Sequence, residues 1–220
     1  IPIVVGGTGF YIQALLYDID FTGTAQDDTY RAELENLVKE KGAAYLHNML
    51  RKVDPKSAED IHANNVKRVI RALEYYRQTG QKMSEHNEEE RRKESPYEFV
   101  YFVLNAPREQ LYARIDRRVD QMIEEGLVDE VKHLKELGCT KEMVSMQGLG
   151  YKEILAYLDG ECDLDTAVYT IKRDTRHFAK RQLTWFRRER QVTWIQKEVY
   201  DYDEDRILKA MLSHLEGRIC

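Results

Sequence analysis

The first sixteen residues, IPIVVGGTGFYIQALL, restrict the fold more than any other part of the chain. An apolar run at residues 3–5 leads into Gly6-Gly7-Thr8-Gly9, and apolar residues at helical spacing follow it. A strand, a tight glycine turn and a helix form half of a βαβ unit, which requires a parallel neighbouring strand. A protein seldom begins with a buried strand and no methionine. We therefore expect a first strand and a first loop to precede Ile1.

The composition excludes several classes of protein. The chain has 220 residues, of which 33% are charged, and no apolar run is long enough for a transmembrane helix. The cysteines Cys139, Cys162 and Cys220 are far apart and odd in number, which predicts a reduced, cytoplasmic protein without a disulfide framework. The net charge of -5 argues weakly against a nucleic-acid partner, but the distribution of charge carries more weight.

Strand signals lie on both sides of a purely helical block. YEFVYFVLNA is typical of a buried strand, and the clearest helix before it runs from a predicted N-cap at Asn65 to Gly80. We predict an α/β core from residues 1–24 and 97–220, interrupted by a helical insertion domain at 25–84. Residues 85–96 are almost devoid of apolar side chains and are predicted to form a solvated, charged linker.

A basic helix is predicted between residues 164 and 190. Eight Lys or Arg residues and only two acids lie between Lys172 and Arg190. At about 100° per residue, one arc of the helix holds six cations: Arg173, Arg176, Lys180, Arg181, Arg187 and Arg188. The opposite side holds the apolar residues Ile171, Phe178, Ala179, Trp185 and Phe186. The arginines could pair with acids elsewhere, but such a concentration of one sign favours a phosphate-rich partner.

The glycine turn is a second candidate site. A turn between a strand and a helix is a common anion site, although Gly6-Gly7-Thr8-Gly9 matches no phosphate-loop fingerprint and could be a tight turn without a ligand. Thr8 could orient a nucleophile. The six histidines form no metal-ligand pair, so no metal site built from side chains is predicted. Asp116 and Asp120 fit ordinary helical ion pairs with Arg117 and its neighbours.

Five stretches together resemble one family. They occur in the order PIVVGGTGFYIQALL, DPKSAEDIHANNVKRVIRALE, RIDRRVDQMIEEGLVDEV, GLGYKEI and TRHFAKRQLTWFRR, and they span nearly the whole chain. In this order they resemble the bacterial tRNA dimethylallyltransferases, also called isopentenyltransferases. The resemblance implies an α/β, P-loop-kinase-like core with a parallel sheet, a mostly helical remainder and a helical insertion domain that helps to hold the anticodon stem-loop.

The resemblance also implies an activity. A dimethylallyl group would pass from dimethylallyl diphosphate to N6 of adenosine 37 in tRNA, with Mg²⁺ as cofactor, in a monomer that binds nucleotide (ATP) and no membrane. By this similarity Thr8 lies beside the reacting amine and contacts the tRNA. The other residues expected at the tRNA are Arg31, Lys67, Arg68, Val69, Ile70 and Arg71. Arg176 and Arg181 resemble arginines that hold the diphosphate, and the choice between them stays open.

The sequence departs from the family pattern at its start. The family carries a P-loop and soon afterwards an aspartate proposed as general base, and neither motif occurs in these 220 residues. We expect both before Ile1, and we expect the 220 residues alone to lack catalysis. Two other classes remain open at this point, a small-molecule kinase with the same core and a non-catalytic RNA-binding module.

Overall fold

The chain divides into two compact units. The structure is a computed structural model that describes residues 1–19 and 28–215. One unit comprises Ile1–Gly6 and Phe10–Glu98 and is called the helical unit, and the other comprises Gly7–Gly9 and Phe99–Cys220 and is called the α/β unit. In the described ranges, no helix combines the length and the apolar character needed to cross a bilayer. The assignment of these units to a core and an insertion domain stays a prediction.

The helical unit is built around one apolar core. Its helices are α1 (Gly9–Tyr17, beginning in the other unit), α2 (Asp28–Lys41), α3 (Ala43–Val53), α4 (Pro55–Asp60), α5 (Val66–Thr79) and α6 (Met83–Arg92). Helices α2, α3 and α5 contribute the buried side chains of Leu34, Leu50 and Val69. The predicted limits of α5 are confirmed, because Asn65 is its N-cap and Gly80 ends it with a φ of 70°.

A buried carboxylate connects three elements of this unit. Asp54 is 1% exposed and accepts four hydrogen bonds. The backbone N–H and hydroxyl of Ser57 donate at 3.0 and 2.6 Å, and those of Ser84 donate at 2.9 and 2.7 Å. Asp54 follows α3, is the N-cap of α4 and binds the first turn of α6. One side chain therefore satisfies donors at the starts of two helices, and the farther donor, on Ser84, lies 30 positions from Asp54 in sequence.

The predicted linker at residues 85–96 is wrong for most of its length, because α6 extends from Met83 to Arg92. The segment is rich in Glu and Arg, which have high helix propensity even when no apolar face is present. Its first turn is fixed by the hydrogen bonds from Ser84 to Asp54, and Glu88 forms an ion pair with Lys56 of α4. Long-range contacts thus order a segment whose composition alone is typical of a solvated linker.

The α/β unit contains a short parallel sheet. Strand β1 (Tyr101–Asn105) pairs with β2 (Val192–Gln196) from Tyr101↔Val192 to Asn105↔Gln196, which confirms the strand predicted in YEFVYFVLNA. The described helices are α7 (Arg108–Glu124), α8 (Leu127–Glu136), α9 (Tyr151–Leu158), α10 (Leu164–Phe186) and α11 (Glu204–Leu215). Short 3₁₀ helices occupy Val144–Gln147 and Lys197–Tyr200. Helices α7 to α10 enclose a core that includes Val119, Val131, Ile154 and Ile171.

Two expected elements differ from the structure. Residues 3–5 form no strand, and Ile3, Val4 and Val5 are 86%, 59% and 91% exposed. A strand requires a hydrogen-bonded neighbour, and the described residues provide none for this segment. Helix α10 ends at Phe186 and not at Arg190, because the chain reverses through Gln191, whose φ is 57°, to enter β2.

Candidate functional site

The turn that carries Thr8 is held by the end of α10. The side-chain amide of Gln182 donates a hydrogen bond to the backbone oxygen of Gly7 at 2.8 Å. Three residues further along α10, the indole of Trp185 packs directly on Gly9, so that a Cβ at Gly9 would overlap the ring. Thr8 lies between these two contacts and is exposed. The α/β unit therefore fixes the backbone on both sides of Thr8 and leaves its side chain accessible.

Glu189 lies beyond Trp185, just after the end of α10. Burial raises the pKa of this carboxyl, and its hydrogen bond with Trp185 lowers the pKa by less. The contacts of Gln182 with Gly7 and of Trp185 with Gly9 make these two side chains supports of the turn, and the sequence pattern alone did not identify them.

The first half of α10 uses its cations within the protein. Nη1 of Arg176 lies 2.8 Å from both carboxylate oxygens of Asp116 on α7, and Nζ of Lys172 lies 2.5 Å from Asp120. Arg173 pairs with Asp174, whose pKa is lowered by this hydrogen bond against the effect of burial. The predicted helical ion pairs of Asp116 and Asp120 with Arg117 and its neighbours are therefore wrong, because α10 packs on α7 and supplies Arg176 and Lys172 as their partners.

The second half of α10 and the two residues that follow it carry positive charges that have no acidic partner in the described ranges. Lys180, Arg181, Arg187 and Arg188 are exposed and form no ion pair with any residue of the described ranges 1–19 and 28–215. We call these four residues the basic end of α10. Phe178, which we expected on the buried side, is 39% exposed, and the guanidinium of Arg181 lies 5.7 Å from its ring centroid. The alternative of internal pairing thus holds for the first half of α10, whereas the basic end keeps its charge available to an anion.

Arg31 is tightly bound within the helical unit. Its Nε and Nη2 donate to the two carboxylate oxygens of Glu74 at 2.9 and 2.6 Å, a bidentate geometry. Glu74 is 6% exposed, so the ion pair that links α2 to α5 is partly buried. The pair fixes the direction of the guanidinium, and its contact with tRNA stays a prediction.

The run from Lys67 to Arg71 divides between surface and core. Lys67, Arg68 and Arg71 are exposed and lack an ion-pair partner in the part of the chain that the structure describes. Val69 and Ile70 are 0% and 3% exposed and belong to the core of the helical unit, so their side chains are not part of the surface. Only the three cations thus present their side chains at the surface, and the contact of all five residues with tRNA stays a prediction.

The described residues contain no cluster of side chains that could bind a metal ion. Within residues 1–19 and 28–215, no group of three or more His, Cys, Asp or Glu side chains could hold an ion. The Mg²⁺ that the resemblance implies is therefore assigned no residue within these two ranges.

Comparison with known proteins places these features in a family. The model of the family described as IPP transferase matches residues 1–189, which include the Thr8 turn and all of α10. The chain belongs to the IPP transferase family. The chain is 61% identical to the tRNA dimethylallyltransferase of Lachnoclostridium phytofermentans. The match covers 98% of this chain and 68% of that relative.

Solved structures of IPP transferase relatives share the fold. The full-length tRNA isopentenylpyrophosphate transferase of Bacillus halodurans matches with a TM-score of 0.54 and 41% identity, over 94% of this chain and 67% of the other. A eukaryotic dimethylallyltransferase acting on tRNA matches with a TM-score of 0.72 and 28% identity, over 96% and 55%. The mostly helical α/β fold with a small parallel sheet is therefore the P-loop-like fold of the tRNA isopentenyltransferases.

Proposed function

We propose that this chain is part of an enzyme that transfers a dimethylallyl group from dimethylallyl diphosphate to N6 of adenosine 37 in tRNA, which gives N6-isopentenyladenosine. The observation that carries the proposal is the match of residues 1–189 to the IPP transferase family. The relatives named above support it, since their names specify dimethylallyl or isopentenyl transfer with tRNA. The fixed Thr8 turn and the basic end of α10 are the features of this chain that suit such a reaction.

In the proposed reaction, N6 of adenine forms a bond to an allylic carbon as the bond from that carbon to diphosphate breaks, and N6 gives up one proton to a general base. The amine is a weak nucleophile, so its orientation matters, and we assign that task to the hydroxyl of Thr8 as a hydrogen-bond partner of N6. The contacts of Gln182 with Gly7 and of Trp185 with Gly9 support this role, because they hold the backbone on each side of Thr8. The target base must leave its stack, at a cost of a few kcal/mol.

Arginines favour the departure of diphosphate because they neutralise the charge that develops on it. Arg176 and Arg181 are the proposed diphosphate ligands, and they differ in whether they already form an ion pair within the protein. Arg176 is held by Asp116, whereas Arg181 belongs to the unpaired basic end of α10. An arginine that is already oriented by a carboxylate loses less conformational freedom on binding, which favours Arg176 for precise contact.

The remaining expectations are part of the same proposal. We infer a cytoplasmic protein from the free thiols of Cys139 and Cys162, a monomer from the resemblance, and nucleotide (ATP) binding from the P-loop-like fold. Mg²⁺ is proposed to accompany the diphosphate.

Replacing Thr8 with valine, which keeps the shape and removes the hydroxyl, is expected to lower kcat about tenfold, the value of one hydrogen bond of about 1.4 kcal/mol. The assay follows radiolabelled transfer from dimethylallyl diphosphate to an anticodon stem-loop RNA, with the longest polypeptide that contains these 220 residues. Thr8→Ser keeps the hydroxyl and should retain most of the activity. Equal rates for the valine variant and wild type would remove Thr8 from the mechanism, and RNA binding without transfer by wild type would favour the binding-module alternative.

Replacing Lys67, Arg68 and Arg71 together with glutamine is expected to weaken binding of the stem-loop and to reduce the slope of log K against log salt by about 2, since each phosphate contact contributes about 0.7. The 220-residue chain is used in an RNA-binding titration at several salt concentrations. The matched control replaces Lys39, Lys52 and Arg91, which are exposed cations of the same unit, with glutamine. If the slope falls equally in both triple variants, RNA binding depends on net charge alone, and the assignment of Lys67, Arg68 and Arg71 to the RNA surface is incorrect.

A further inference from the structure

A surface concavity of about 390 Å³ lies wholly within the helical unit, between α3, α4 and the connection from α4 to α5. We call it the α3–α4 concavity. Its volume falls in the range of roughly 300–1,000 Å³ that is usual for small-molecule sites. None of the residues assigned above to prenyl transfer or to contact with tRNA lines it. It is therefore a candidate site that the proposed function leaves without a role.

The floor of the α3–α4 concavity is apolar and contains a fixed aromatic ring. Ala58 and Ile61 are buried and line it, and His47 is 8% exposed. Nε2 of His47 lies 2.9 Å from the backbone oxygen of Ala58 and 2.8 Å from that of Ile61. Because both partners are acceptors, Nε2 carries the proton and donates to both, which holds the ring in one orientation. A fixed ring with apolar neighbours is a surface on which an unstacked base can stack.

The rim carries two opposite charges that do not pair with each other. Arg51 of α3 and Glu59 of α4 are exposed and line the α3–α4 concavity, and neither forms an ion pair with any residue in the described ranges. Nη1 of Arg51 donates to Oδ1 of Asn48 at 3.1 Å, which directs the guanidinium and leaves its other N–H groups to a ligand. A ligand that both accepts and donates hydrogen bonds would satisfy the two charged side chains together.

Guanine is the base whose edges match these two side chains. Its O6 and N7 atoms accept the bidentate hydrogen bonds that Arg offers, and its N1–H and N2–H₂ groups can donate to a carboxylate. Adenine has an N6–H₂ donor in the place of O6, and this donor would meet the donors of Arg51. A free phosphate or carboxylate would be repelled by Glu59. The charges of the rim therefore favour a guanine base over adenine and over a simple anion.

We propose that the α3–α4 concavity binds a guanine base, supplied by an RNA or by a free guanine nucleotide. The base would stack on the floor, with Arg51 donating to O6 and N7 and with Glu59 accepting from N1 and N2. His62 also lines the concavity, and its Nδ1 accepts a hydrogen bond from the backbone N–H of Asn64 at 3.2 Å. Nε2 of His62 is therefore the protonated nitrogen, a donor for the ribose or the phosphate of the same nucleotide.

The position of the α3–α4 concavity favours an RNA as the source of the base. Residues 61–63 line it, and the same connection leads into α5, which begins at Val66 and carries Lys67, Arg68 and Arg71. An RNA held by these three cations would have the concavity beside the start of its binding surface. In this form the inference rests on the proposed function, which supplies tRNA as the partner, whereas a site for free guanine nucleotide does not.

One set of titrations tests the base preference and separates the two sources. The 220-residue chain is titrated calorimetrically with GMP, IMP and AMP, and with three stem-loop RNAs that carry guanine, inosine or adenine at one unpaired position. Inosine lacks only the 2-amino group that Glu59 is proposed to bind, so the inosine form should bind about tenfold more weakly than the guanine form. This order among the nucleotides supports a site for free nucleotide, and the same order among the RNAs alone supports a site for an RNA base.

Two substitutions test the assignment of the rim. Arg51→Gln and Glu59→Ala are each expected to weaken binding of the guanine ligand about tenfold, and Glu59→Ala should also abolish the preference for guanine over inosine. The matched controls are Lys52→Gln on α3 and Asp60→Ala on α4, which remove the same charges from exposed residues that do not line the concavity. Thermal unfolding of the four variants shows that each has kept the fold.

The proposal is overturned by any of three results: the guanine and adenine ligands bind equally or not at all, the control variants weaken binding as much as the rim variants, or Glu59→Ala keeps the full preference for guanine over inosine. Because the readout is binding by the helical unit and not transfer, a failure here leaves the prenyl-transfer proposal intact. Conversely, loss of the transfer activity leaves this result unaffected.

Discussion

Replacing Asp54 with alanine is expected to lower the free energy of unfolding of the helical unit by about 3–5 kcal/mol. The substitution removes the N-cap of α4 and leaves the backbone N–H groups of Ser57 and Ser84 without their acceptor in a buried site. Each unsatisfied buried donor costs about 1–3 kcal/mol, and the lost cap adds about 1 kcal/mol. Hydrogen exchange of the amides in α4 and α6 measures the effect locally.

The control for this substitution is Asp60→Asn, which removes an exposed carboxylate from the same short helix. It should change the protection of these amides by less than about 0.5 kcal/mol. Ser84→Ala is expected to have an intermediate effect, because it removes one donor and leaves the other three in place. Protection in the Asp54→Ala variant that equals that of Asp60→Asn would show that the buried carboxylate is not a determinant of stability.

The same carboxylate makes stability depend on pH. Burial alone would raise the pKa of Asp54, but the hydrogen bonds from Ser57 and Ser84 outweigh burial and leave the pKa below its ordinary value. A carboxyl group whose pKa is lower in the folded state stabilises the fold above its unfolded pKa of about 3.9, and this contribution is lost as the pH falls through the folded value. The difference in stability between wild type and Asp54→Ala should therefore be constant near neutral pH and shrink below pH of about 4.

Replacing Gly9 with alanine is expected to lower prenyl transfer about a hundredfold, the usual result of a displacement of about 1 Å at a reacting group. The new methyl group would overlap the indole of Trp185, which is a rigid ring and cannot yield as the end of a flexible side chain does. The turn and Trp185 must therefore move apart, and Thr8 moves with the turn. The rate is measured in the stem-loop transfer assay, and the emission maximum of tryptophan, which should shift to longer wavelength, reports the displacement independently.

Gly6 provides the matched comparison for this change of the turn. A Cβ at Gly6 has no heavy atom within 4 Å, so Gly6→Ala should leave the tryptophan emission unchanged. At Gly7 the added methyl group would meet only the amide end of Gln182, which can rotate away, so a smaller effect than at Gly9 is expected. An unchanged emission maximum in Gly9→Ala would contradict the packing of Trp185 on the turn.

Elements that depend on nearby residues could be predicted from the sequence. Helix α5 was predicted with its N-cap and its terminal glycine, and β1 was predicted from one apolar run. In both cases the signal lies within the element, as helical spacing of apolar residues or as a β-rich segment. The family was also identified from the sequence, because its motifs depend on residue order and not on contacts.

Features that depend on distant residues could not be predicted. Asp54 meets Ser84 across 30 positions, Asp116 meets Arg176 across 60, and Gly7 meets Gln182 across 175. Helical geometry places the cations of α10 on one side, but only the packing of α7 shows which of them are neutralised. The same reasoning explains why residues 85–96 were predicted to be a linker although most of them belong to α6. The first turn of that helix is fixed by hydrogen bonds to Asp54, which lies outside it.

The cations at the basic end of α10 repel one another in the free protein, and their position along the helix reduces part of this repulsion. The aligned peptide dipoles of a helix leave partial negative charge on the carbonyl groups of its last turn, and Arg187 and Arg188 of the basic end follow that turn directly. The helix itself thus offsets part of the repulsion on Arg187 and Arg188, by about 0.3–1 kcal/mol for a well-placed cation. The surface is consequently formed before any polyanion arrives, and binding does not need to fold it.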